Sequence, residues 1–248
     1  MSREPVDAQI FKEGLYNLGK TFNNVSHAYL SLNISNRNLV SIVGVDRYKF
    51  LQNVDVSYNN LIHLKELSYL KHLIKLNASN NQLRRMLDFP PPANLEWIDF
   101  SGNAINKIEN TNLNIYLKYV NLDNNSIQKI EGLEQNRCLR VLSLNGNSIE
   151  VIENLDGLWI EDLYLQQNKI KRISGLNNLS ALKTLDLSKN SISKLKGMET
   201  IESLRFLFLS LNNINKVGQL VFIENLMLLT ELDLCFNPLQ NKKHYRLQ

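Results

Sequence analysis

The chain is governed by a frame, L-x-x-L-x-L-x-x-N-x-L-x-x-L, that keeps returning along its length. It begins at Leu51, Leu73, Leu95, Leu117 and Leu139 at intervals of 22 residues, then at Ile160, Leu182, Leu204 and Leu229. A degenerate first copy starts at Tyr29, where Arg37 stands in the asparagine's place. A unit this short cannot bury its own apolar face, so the copies must stack and cover one another. Within x-L-x-L-x the leucines alternate with period two, which predicts a short strand with its leucines on one side. Successive strands then lie parallel, about 4.8 Å apart, and their leucines form one continuous interior. The asparagine falls where the chain leaves the strand. There the amides of Asn59, Asn81, Asn103, Asn125, Asn147, Asn168, Asn190, Asn212 and Asn237 can pair the turn's backbone groups as a ladder. Return segments such as IEGLEQNRCL and ISGLNNLSAL keep apolar residues about three apart, predicting short helical or 3₁₀ turns. DFPPPANL (88–95) has three prolines and should run extended.

A stack of this kind needs its ends covered. Phe11, Leu15, Leu18 and Phe22 fall at helical spacing, with Asp7 as N-cap, predicting a capping helix over 7–19. The chain therefore divides into an N-terminal cap (1–28), ten repeats (29–239) and the start of a truncated C-terminal cap (240–248). NPLQNKKHYRLQ opens like such a cap, and the chain then stops. The opening MSREPVDAQIFKEGL carries charges where a signal peptide needs an apolar run. Two cysteines far apart, Cys138 and Cys235, suit a reducing, cytoplasmic setting. No apolar run approaches the ~20 residues that span a bilayer. A net charge of +4 is mild for 248 residues and does not call for a nucleic-acid partner.

The frame resembles that of leucine-rich repeat (LRR) proteins. The resemblance implies an α/β LRR solenoid: a horseshoe arc with a parallel sheet on its concave face, short helical or 3₁₀ turns on its convex face, and an N-terminal capping helix. The 22-residue period and the I-x-G-L turns at Ile130–Leu133 and Ile173–Leu176 look like the intracellular class that includes the type-one phosphatase regulatory subunit and several ciliary proteins. Two stretches, FKEGLYNLGKTFNNVSHAYLSLNISNRNL (11–39) and LIKLNASNNQLRRMLDFPPPANLEWIDFSGNAI (73–105), are similar to the N-terminal module of leucine-rich repeat and guanylate kinase domain-containing proteins. The first also resembles radial-spoke-associated LRR proteins. This implies a scaffold or adaptor in cilium or flagellum assembly, with axonemal or microtubule-associated partners. The alternatives it raises are a regulatory subunit that binds a phosphatase catalytic subunit, and the LRR portion of a longer guanylate kinase-like protein. No G-x-x-x-x-G-K-[ST] phosphate loop occurs, so kinase activity is not carried over.

Residues that could carry chemistry are sparse. His27, His63, His72 and His244 lack cysteine or carboxylate companions at metal-ligand spacing, and no nucleophile elbow is present. The expectation is a non-enzyme without cofactors. Each strand instead offers two outward slots, the third and fifth of the frame. The third column reads Ser31, Asn53, Lys75, Trp97, Tyr119, Val141, Asp162, Thr184, Phe206, Glu231. The fifth reads Asn33, Asp55, Asn77, Asp99, Asn121, Ser143, Tyr164, Asp186, Phe208, Asp233. Trp97 and Tyr119 are neighbours whose rings should touch. Tyr164, Phe206 and Phe208 make a second aromatic region, surrounded by Asp162, Asp186, Glu231 and Asp233. Aromatic anchors ringed by polar groups are what protein-binding hot spots look like. At the thirteenth position Arg85, Lys107, Lys129, Arg172, Lys194 and Lys216 predict a basic flank, interrupted by Val151 and reinforced by Arg84 and Lys171. Such a ridge could attract acidic tubulin tails. Aromatic and basic residues lie on different faces, which disfavours nucleic acid.

Overall fold

The computed structural model describes residues 8–21 and 26–241. Ten short parallel strands follow one another in chain order: β2 His27–Asn33, β3 Asn53–Asp55, β4 Lys75–Asn77, β5 Trp97–Asp99, β6 Tyr119–Asn121, β7 Val141–Ser143, β8 Asp162–Tyr164, β9 Thr184–Asp186, β10 Phe206–Phe208 and β11 Glu231–Asp233. Register is strict, each strand pairing with its neighbour at the same frame position, as in Trp97 with Tyr119 and Phe206 with Glu231. From Leu32 to Leu207 the central residue of each strand is at most 3% exposed, whereas its two neighbours face the concave side. The alternation read from the sequence thus becomes a wall of apolar side chains along the inside of a curved solenoid.

The asparagines behave as the frame requires. Asn147 Nδ2 donates to the carbonyls of Leu122, Leu144 and Asn145, and its Oδ1 accepts from the Ile127 amide. Asn59, Asn190, Asn212 and Asn237 repeat this pattern in buried positions, and Asn81, Asn103, Asn125 and Asn168 do so half-buried. Each amide therefore links one repeat to the repeat before it. The residue just before the asparagine adopts a left-handed conformation, supplied by Gly102 and Gly146 at no steric cost but also forced on Tyr58, Leu211 and Phe236. The ladder's hydrogen bonds hold those residues in place.

The convex side has few regular helices. 3₁₀ turns occur at Val45–Arg47, Lys65–Tyr69, Val217–Phe222 and Pro238–Asn241. The segments 130–139 and 173–182 hold only isolated three-residue turns, such as Leu139 N–H to Asn136 O and Leu179 N–H to Leu176 O. Val217–Phe222 lies in the one long repeat, before Leu229. The proline segment contains no helix.

The N-terminal end differs from expectation. The helix spans Ala8–Gly14, not 7–19; Leu15–Lys20 form strand β1, antiparallel to β2. The reason is visible at Gly14, where a Cβ would stand 2.3 Å from the Asn33 carbonyl oxygen. The chain turns there against β2 and gains its hydrogen bonds, which outweigh one further turn of a short helix. Phe11 is buried as expected, but Leu18 is exposed on the strand. Asp7 and Phe22 lie outside the described residues.

Candidate protein-interaction face

The fifth column has a structural task that its residue types alone did not reveal. The side-chain oxygens of Asn33, Asp55, Asn77, Asp99, Asn121, Asp186 and Asp233 each accept the backbone N–H two residues on, at 2.8–3.1 Å. These are Asx turns that fix where the chain leaves the strand. Asp186 is thus engaged with its own Ser188 amide. Asp55, Asp99, Asp186 and Asp233 accordingly serve their turns. Of these, Asp233 is held below the ordinary carboxylate range: burial alone would raise its pKa, and hydrogen bonds from Cys235 and Ser210 outweigh that.

Three strands depart from this pattern, and each is served by a neighbouring repeat. Beyond Ser143, the Asn145 amide donates to Asp123 Oδ1 at 2.7 Å. Beyond Tyr164, the Gln166 amide donates to Asn145 Oδ1 at 2.7 Å. Beyond Phe208, it is the Ser210 side chain rather than its amide that is hydrogen-bonded to Asp233 of the next strand. Asp123 and Asn145 are the residues that sequence reasoning missed. Each is two places beyond a fifth slot, and the signal was the absence of Asn or Asp at Ser143, whose hydroxyl donates to Asp123 Oδ1, and at Tyr164. The support from Asn145 frees the fifth slot for Tyr164 at β8, and at β10 the ring of Phe208 occupies it beside the Asp233–Ser210 contact.

In the third column, Trp97 and Tyr119 stack with centroids 5.0 Å apart and planes 10° from parallel. Both are half-exposed. Burial raises the Tyr119 phenol's pKa, and the Asp99 and Asp123 carboxylates push it the same way. Burial likewise raises Tyr164, with Asp162 and Asp186 adding to it. Both phenols are thereby biased toward their neutral form. Phe206 is 37% exposed, while Phe208 is half-buried two strands along from Tyr164, with Asp186 between them. Asp162 is half-buried beside Thr184, and Glu231 is exposed beside Phe206. The structure thus yields one stacked pair and a looser group of three rings.

The basic flank is exposed throughout but is not uniform in charge. Arg85 Nε pairs with Glu109 at 2.7 Å, and Lys107 Nζ with Glu131 at 3.5 Å. Among the described residues Lys129, Arg172, Lys194 and Lys216 have no such partner. Free positive charge is therefore concentrated toward the half that also carries Tyr164, Phe206 and Phe208. No three His, Cys, Asp or Glu side chains among the described residues come together as a metal site.

Comparison with known proteins agrees with this geometry. A leucine-rich repeat family model matches residues 136–248. The leucine-rich repeat domain of APL1B superposes with a TM-score of 0.72 at 18% identity, over 84% of this chain and 69% of that one. The fold is that of the leucine-rich repeat. Internalin C2 of Listeria monocytogenes gives 0.69 at 23% identity, covering 73% of this LRR chain and 81% of its own. Internalin F of the same organism gives 0.65 at 19% identity, covering 84% and 67%. No curated protein sequence matches the LRR chain. Within its described residues no helix is long and apolar enough to cross a membrane.

Proposed function

We propose that this LRR chain is a non-catalytic scaffold that holds a protein partner on its concave face. The observation that carries the reading is the exchange at β8 and β10, where Tyr164 and Phe208 occupy slots that elsewhere cap a turn. An aromatic ring there gives up a local hydrogen bond and gains contact area on an open face. Trp97, Tyr119, Tyr164, Phe206 and Phe208 are the anchors, each worth roughly 1.5–3 kcal/mol when a partner buries it. Asp162, Asp186 and Glu231 form the polar surround. The preformed arc keeps the ordering cost of binding low.

For the cellular setting, the similarity of 11–39 and 73–105 to ciliary and guanylate kinase-linked LRR modules supports cilium or flagellum assembly, with an axonemal or microtubule-associated partner. Affinity capture from ciliated cells tests both parts, comparing the unaltered chain with Trp97→Ala/Phe206→Ala/Phe208→Ala. The expected result is a set of axonemal proteins lost with the triple variant while its circular dichroism is unchanged. An unaltered set defeats the concave reading. Capture of a phosphatase catalytic subunit instead, lost with the same variant, replaces the ciliary partner with the phosphatase one.

A further inference from the structure

A second surface lies on the rim where the chain runs into the strands, away from the concave slots. The residue just before each frame forms a row there, and over the last four repeats it reads Trp159, Ala181, Ser203, Leu228. Trp159 is 57% exposed and Leu228 51% exposed, large values for apolar side chains of this size. Between them Ala181 and Ser203 are too small to fill the gap. The result is a groove of about 330 Å³ with an indole wall, a leucine wall and a small-residue floor. Its walls are three strand spacings apart, about 14 Å, which admits a helix of 10–12 Å diameter.

The groove's edge is charged. Arg140, Glu161, Lys183 and Arg205 occupy successive repeats two places beyond that row. Glu161 sits between Arg140 at 3.5 Å and Lys183 at 2.5 Å, and the Lys183 hydrogen bond holds its carboxyl below the ordinary range. Arg140 is itself positioned: Nη1 donates to the Trp159 carbonyl at 3.0 Å, and its guanidinium lies 5.9 Å from the indole centroid. Arg205 has no carboxylate partner among the described residues. Three cations against one committed carboxylate leave two positive charges along an apolar trough.

We propose that this groove is a second docking site, and that its occupant is an acidic amphipathic helix of a partner protein. Apolar side chains on one face of that helix pack between Trp159 and Leu228 over Ala181 and Ser203. Carboxylates on its flank meet Arg205 and the Arg140–Lys183 edge. A polynucleotide fits the site less well: one indole offers no succession of stacking platforms, and the ionised Glu161 stands in the middle of the basic edge. Because this rim is separate from the concave slots, the site can be occupied while the concave partner is bound.

The test uses the whole chain, with fluorescence anisotropy of a labelled Glu/Leu helical peptide of about twelve residues, which spans about 18 Å. Its Lys/Leu counterpart and a short oligothymidylate are the comparison probes. The expected outcome is binding of the acidic peptide alone, weakened about tenfold or more by Arg205→Glu and by Trp159→Ala. Phe206→Ala/Phe208→Ala, which removes concave anchors, should leave it unchanged, so failure here is distinct from failure of the concave proposal. Lack of acidic-peptide binding, equal binding of the basic peptide, preference for the oligonucleotide, or indifference to the rim variants each overturns the proposal. Arg205 is exposed, so its reversal tests the charge without disturbing the core.

Discussion

At the scale of single residues, the fifth strand slot separates folding from binding. Asp and Asn there serve the turn, and a ring there does not. Phe208→Asn should therefore restore a local Asx turn to Ser210 and stabilise the solenoid by about 0.5–1 kcal/mol, read as a higher urea midpoint. The same change should weaken capture of the concave partner. Stability and binding moving in opposite directions is an outcome that a purely structural Phe208 would not produce. Tyr119 and Tyr164 give a second prediction. Their folded pKa values are raised above the ordinary tyrosine value of about 10. Their contribution to stability is therefore fully present below about pH 10 and lost as pH rises through the folded values. Ultraviolet titration should show two phenols ionising above the ordinary tyrosine range, and Tyr119→Phe/Tyr164→Phe should remove that late phase.

At the scale of elements, the strands and the N-terminal end were unequally legible. The inward Leu32, Leu76, Leu142 and Leu185 could be placed from period-two alternation because the frame repeats and its register follows by translation. The N-terminal residues have no second copy to calibrate them. Phe11, Leu15 and Leu18 fit a helix, yet the free hydrogen bonds of β2's edge drew Leu15–Lys20 into a strand, an outcome set by what they meet rather than by their spacing. Gly14 is where that switch is made. Gly14→Val would drive a side chain into the Asn33 carbonyl and loosen the cap. Hydrogen exchange should rise across Tyr29–Asn33 and stay unchanged across β6–β8, since coupling in a solenoid falls off beyond nearest neighbours. Equal acceleration along the whole sheet would contradict this account.

At the scale of the whole molecule, charge is distributed unevenly along the flank. Glu109 and Glu131 neutralise Arg85 and Lys107, while Lys129, Arg172, Lys194 and Lys216 remain free to meet an acidic surface. If the flank lies on microtubules, Lys194→Glu/Lys216→Glu should reduce co-sedimentation several-fold, and Arg85→Glu/Lys107→Glu should do so less. The interaction should weaken steeply with salt, because exposed charges are screened within about 10 Å at 0.1 M. Removing the acidic tubulin tails should abolish it, and indifference to their removal would dismiss the flank as a microtubule contact.

The leucine interior, the asparagine ladder, the parallel order of strands and the two outward columns followed from the amino-acid order, because each is a local pattern that the period carries from one repeat to the next. Which charges stay free, which turn is capped from another repeat, and where the N-terminal segment changes from helix to strand were settled only when the repeats came together. Arg85 meets Glu109 24 residues away, and Asp123 supports Asn145 22 residues away. Such pairs depend on side chains converging across the stack, where distance in space rather than distance in sequence sets the energy.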